Sequence, residues 1–191
     1  MNIKKFKIFE IVGVPAIYLI ATFLHFVYDL TGGSTLSILF GSVNESVWEH
    51  IKIFAVGFMV WTIVEFLFAK PPFKKFVTVK VFMLYFLSLL IPVFFYTYNL
   101  FTVEPVLWLD LLSSFVFVTL TQYISYLLIT NDNKISDYFP LALMLLMLYY
   151  LMFFSFTVFP PKIELFRDYE TGMFGIIEDH IDVGACFMTK S

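Results

Sequence analysis

Ionisable residues interrupt long apolar runs at a few places, and any chemistry this chain performs has to start there. His25 and Asp29 close the first apolar run, Glu45, Glu49 and His50 open the second, and Asp110 stands near the start of the fourth. Carboxylates beside a neutral imidazole suit a divalent metal ion: Zn²⁺ where histidine takes part, a harder ion where amide oxygens join the carboxylates. His25, Glu45 and Glu49 are the expected metal set. A metal held there would activate water and make the protein a hydrolase or transferase. The leading reading is a binding or transport-type protein in which the same groups hold a cation or small polar ligand, or relay protons, with the metal-dependent enzyme as its alternative. A non-catalytic subunit of a membrane complex is the third reading, and the residues alone do not decide whether the chain is an enzyme.

Helical spacing arranges these groups further. Glu45, Glu49 and Lys52 fall at i, i+4 and i+7, one face of a helix with Trp48 at its flank. His50 is turned by about 100° from Glu49 and leaves that stripe. Tyr18, Thr22, His25 and Asp29 form a stripe on the first run, and Asp110, Ser114, Thr121 and Ser125 form one on the fourth. Ser88, Tyr96 and Asn99 follow three- and four-residue steps on the third, around Pro92. Polar stripes on apolar helices face one another because lipid cannot satisfy them. The expectation is a polar pocket lined by Tyr18, Thr22, Ser88, Tyr96, Asn99 and Ser114, opening at one membrane face. A plainer reading stands beside it: Ser42-Val43-Asn44-Glu45 and Ser46-Val47-Trp48-Glu49 both match a helix-capping box. His25 and the hydroxyl residues would equally serve as interhelical hydrogen-bond partners. Glu10 and Glu65 lie at the opposite face, where snorkelling or pairing with nearby lysines suffices.

The elements that must position these residues are membrane spans. Of 191 residues, 60% are hydrophobic and only 14% charged, against roughly 25% charged in a soluble domain. Mean hydropathy is +0.87, and the lipid bilayer is the solvent that such a surface fits. Five runs are long enough to cross it, at about 8–30, 47–69, 79–101, 106–129 and 138–159. The fold class is therefore all-α, a polytopic membrane helical bundle of about five transmembrane helices. Continuous rather than alternating hydrophobicity excludes a barrel. The first run is too long for a signal-peptide core and lacks a small-residue cleavage site, so it reads as a retained span. Lys4, Lys5 and Lys7 precede the first run, and Lys70, Lys74, Lys75 and Lys80 surround the second connection, while Thr31–Ser46 has no Lys or Arg. By the positive-inside rule the N-terminus is inside and the C-terminus outside, which puts the pocket on the outer face. Pro160 and Pro161 end the last span. They divide the chain into a transmembrane domain, 1–161, and an extracytoplasmic tail, 162–191, with a turn at Tyr169-Glu170-Thr171-Gly172. Cys186 is the single cysteine, which excludes an internal disulfide and a cysteine metal cluster. With no basic stripe, nucleic acid is not an expected partner.

The run Asn44-Glu45-Ser46-Val47-Trp48-Glu49-His50-Ile51-Lys52, with His25 upstream and Pro160-Pro161-Lys162-Ile163-Glu164-Leu165-Phe166 downstream, resembles an uncharacterised family of bacterial integral membrane proteins. That family has an N-E-S-x-W-E-H-x-K segment and a P-P-x-x-x-L-F tail followed by T-G, and no assigned activity. The likeness covers the five spans and the tail to Gly175, and implies a multi-pass protein of the bacterial cytoplasmic membrane. The ceramidase-like and progestin-receptor-like membrane hydrolases use several histidines and a serine on separate helices. This chain has three histidines, with His180 in the tail.

Overall fold

The computed structural model describes residues 1–102 and 105–177; His180 and Cys186 lie outside the described residues, as does the rest of the tail beyond Ile177. Six α-helices follow in chain order: α1 (Ile3–Leu30), α2 (Thr35–Phe40), α3 (Val47–Ala69), α4 (Phe73–Asn99), α5 (Leu107–Thr130) and α6 (Phe139–Val158). A 3-10 turn at Ile135–Tyr138 leads into α6, and another at Glu164–Phe166 opens the tail. All but α2 belong to segments long and apolar enough to cross a membrane. Large apolar side chains such as Leu19, Leu89 and Leu151 point away from the bundle on all sides, the outward face that a bilayer requires. The protein is a multi-pass, all-α membrane protein.

Helix α3 occupies the expected range and begins where Ser46 caps it, its Oγ accepting from Glu49 N at 3.4 Å. Helix α4 starts six residues before the expected Val79, directly after Pro72, so Lys74, Lys75 and Lys80 lie on a helix rather than in a loop, while Lys70 caps the end of α3. Lys75 reaches the Asn131 carbonyl. Lys80 does not flank the connection at all; it turns inward and is 3% exposed. It had counted towards the positive face, where Lys70, Lys74 and Lys75 remain.

Helix α1 packs between α3 and α5, α4 closes the group against both, and α6 lies outside on α4. The tight α1 crossing depends on Gly13: a Cβ there would run into the Gln122 and Trp61 side chains. A buried polar network fills the space around it. Lys80 Nζ contacts Glu10 at 3.2 Å and Glu65 at 2.5 Å and donates to Gln122 Oε1 at 3.2 Å. Ser125 donates to Glu10 at 2.8 Å, and Gln122 and Trp61 each donate to Glu65 at 3.0 Å. Glu10 and Glu65 are thus paired in the interior rather than snorkelling. The network joins α1, α3, α4 and α5 near one end of the bundle.

At the other end, the connection between α1 and α3 folds into the bundle mouth. Gly32 and Gly33 take left-handed backbone angles (φ 63° and 76°), and α2 follows, capped by Ser34. Two buried charges of α3 hold this loop: Glu49 accepts from Val43 N at 3.0 Å, and Lys52 donates to the Ile38 carbonyl at 3.1 Å. The two lie 2.6 Å apart and complete each other.

Candidate metal centre

The cap at Ser46 decides the geometry of the mouth. Glu45 precedes it, so Glu45 is not on the helix and the expected Glu45–Glu49–Lys52 stripe begins only at Glu49. Glu49 points to Lys52 and the loop; Glu45 turns to the histidines. His25 Nε2 lies 3.5 Å from Glu45 Oε1, and His50 Nε2 lies 3.6 Å from Glu45 Oε2. Ligand atoms of His25, Glu45 and His50 all fall within 4.8 Å of one another, and all three side chains are half-buried. His50, off the stripe by helical phase, is the third member of this group, and Glu49 is not.

Donors of a tetrahedral zinc site, bonded at 2.0–2.1 Å, stand about 3.4 Å apart. The two short His–Glu distances run to different oxygens of Glu45, and with one ligand atom from each residue no separation has to close by more than ~1.4 Å. The surrounding contacts orient the donors. His50 Nδ1 donates to the Ser46 carbonyl at 2.9 Å, which turns Nε2 towards Glu45. Glu45 N donates to Asp168 Oδ1 at 2.8 Å, anchoring the backbone beneath the carboxylate.

Asp168 comes from the tail, which folds back over the mouth. Its second oxygen accepts from Thr171 N at 2.7 Å and from the Thr171 hydroxyl, and Gly172 supplies the left-handed residue (φ 72°) of the turn. The turn falls at the expected Tyr169–Gly172. Asn44 donates to the Gly175 carbonyl at 2.8 Å, Phe166 packs on Trp48, and Tyr169 meets Phe95. Burial, with Tyr96 nearby, holds the Tyr169 phenol above its ordinary range, so it stays neutral. Asp168 is 1% exposed. In the sequence it reads only as a polar tail residue, and its one signal is the Asp-x-x-Thr-Gly spacing of a side-chain-supported turn.

Below the cluster is a cavity of about 540 Å³ between α1, α3, α4 and α5, with Tyr169 and Glu170 at its roof. Tyr18, Thr22, Asp110 and Ser114 are among the residues that line it. Tyr18 donates to the Leu111 carbonyl at 3.1 Å, and Asp110 accepts from the Tyr98 hydroxyl at 2.7 Å. Asp29 lines a smaller space of about 120 Å³ on the other side of His25 and Glu45. Ser88, Tyr96 and Asn99 are not among the lining residues. Ser88 pairs with the Tyr149 hydroxyl at 2.8 Å between α4 and α6, and Asn99 accepts from Thr102 at the end of α4.

Residues 1–176 match a protein family described as a family of unknown function (DUF6512). The chain belongs to that family. The match takes in every helix and the tail turn, so the cluster and Asp168 both lie within the family's bounds. No curated protein and no solved structure matches the chain.

Proposed function

We propose that this membrane protein binds a divalent transition-metal ion of the zinc class on His25, Glu45 and His50, at the mouth of a ligand-binding cavity. The reading rests on one observation: three donors from two helices and a loop converge within 4.8 Å at the top of a cavity. Two imidazoles and a carboxylate select zinc-like ions over calcium or magnesium, which prefer oxygen donors. The lysines at Lys4, Lys5, Lys7, Lys70, Lys74 and Lys75 support an extracytoplasmic position for the cluster, with the N-terminus inside. In the setting that the motif resemblance implies, this is the outer face of a bacterial cytoplasmic membrane.

Three protein donors with a fourth position open to a cavity also describe catalytic zinc sites. A metal-dependent hydrolase or transferase is therefore the second reading, with Asp110 as the other carboxylate facing the cavity. The subunit reading draws less support, because the described part of the tail spends its polar and aromatic contacts on its own bundle.

The test is metal stoichiometry. Protein purified without chelating resin, stripped and reloaded, takes up about one Zn²⁺ per chain, measured by calorimetry and elemental analysis. His25→Ala, Glu45→Gln and His50→Ala each lower affinity by more than the 10–100-fold typical of lost supporting contacts. Wild-type protein that takes up no zinc, or three variants that bind it like wild type, would end this reading.

A further inference from the structure

The cavity is unlike a site for a sugar, an amino acid or a bare ion. Its imidazoles and carboxylates gather towards the mouth; deeper, Tyr18 and Ser114 spend their hydroxyls on the Leu111 carbonyl, and Ile53, Phe54, Ile91 and Phe117 wall the space. A hydrophilic solute reaching that depth would lose its water and find few partners. The lining runs along α5 from Leu107 to Phe117 and along α1 from His25 to Tyr18. At 1.5 Å per residue these are about 15 Å and 10 Å. One leaflet of the hydrocarbon core is about 15 Å deep, so the cavity descends roughly as far as an acyl chain does. The volume is in the range of sites that enclose a whole small ligand.

The same walls reach the outside of the bundle. Phe26, Leu107 and Leu111 line the cavity and are 54%, 73% and 50% exposed. These apolar side chains stand on α1 and α5 at the mouth end of the bundle, beside the tail that roofs the cavity. An apolar lining exposed at this level suits a ligand that partitions from the membrane rather than one dissolved in water.

We infer that the cavity receives a single-chain anionic amphiphile from the surrounding lipid. Its carboxylate or phosphate head sits at His25, Glu45 and His50, and its chain lies against the apolar walls. The inference rests on the metal-centre reading for the head group and on the cavity alone for the chain.

The test uses the full chain in lipid nanodiscs, loaded with Zn²⁺, and radiolabelled palmitate as the probe. Palmitate binds saturably, acetate does not displace it, and hexadecanol, which lacks the anionic head, displaces it at least about tenfold less well. Ser114→Phe and Ile91→Trp fill the cavity from two different helices. Each weakens palmitate binding about tenfold or more while zinc uptake, the measure of a folded mouth, persists. Displacement by acetate or equal displacement by hexadecanol would overturn the proposal. So would unchanged palmitate binding in zinc-competent cavity-filling variants. Palmitate binding that the filling variants abolish, in a protein that takes up no zinc, would defeat the metal reading and with it the seat of the head group, and leave the placement of the chain standing.

Discussion

Replacing Asp168 with alanine tests whether the tail is part of the site or merely rests on it. The carboxylate accepts three hydrogen bonds, one from Glu45 N on the bundle and two from Thr171 within the tail turn. Hydrogen bonds to a charged acceptor contribute about 1.5–3 kcal/mol each. The Thr171 groups regain water once the tail lifts, so they count for less than the bond to Glu45. The Asn44–Gly175 hydrogen bond and the Phe166–Trp48 ring contact remain to hold the tail. Loss of Asp168 therefore lowers the free energy of tail opening by about 2–4 kcal/mol, which raises the open population roughly 30- to 1,000-fold. Hydrogen exchange by mass spectrometry reads this directly in peptides spanning Glu45 and residues 168–175. Both should lose protection together, and zinc affinity should fall about tenfold as the Glu45 backbone loosens. Asp168→Asn keeps one acceptor oxygen and should fall between the two. If Asp168→Ala left both peptides within twofold of wild-type exchange, the tail would be held by its apolar contacts and the argument from Asp168 would be wrong.

Two further outcomes follow from the charges. Lys80→Met strands the Glu10 and Glu65 carboxylates in the interior and should destabilise the bundle by about 3–5 kcal/mol; thermal unfolding in detergent measures it. Adding Glu10→Gln and Glu65→Gln should recover most of that loss, and failure to recover would mean that Lys80 acts by packing alone. Because imidazole and carboxylate donors ligate only when deprotonated, zinc affinity should drop steeply from about pH 7.5 to about pH 5.5. A flat calorimetric profile over that interval would remove the histidines from the metal set.

The spans are legible because apolar runs of that length have few other uses, and α3 lies where its run lies. The start of α4 is not, since lysines on a helix end and lysines in a loop look alike without their partners. Lys80 shows the limit: its meaning depends on Glu10, 70 residues away in sequence. At the mouth, residue types were informative and register was not. His25, Glu45 and His50 stand out as ionisable residues beside apolar runs. Yet two consecutive capping boxes leave the first turn of α3 undecided, and choosing Ser46 moves Glu45 off the helix and towards the histidines. Periodicity holds only inside an element, so a stripe that crosses a cap misassigns whatever lies before it. Ser88 and Asn99 follow a regular polar spacing, but Ser88 pairs across helices and Asn99 closes a helix end. Asp168 acts across 123 residues of sequence, a separation over which no local pattern carries information.

The Glu10–Lys80–Glu65 network also constrains how the protein is made. Helices enter the bilayer in order during synthesis, and an unpaired charge in a span costs up to about 3 kcal/mol at the moment of insertion. Glu10 on α1 and Glu65 on α3 find their counter-charge on neither helix; α4 brings it with Lys80. The first two spans therefore complete this network only once the third is in place, and a cluster that reads as static interior wiring also sets how many spans have to be present before its charges balance.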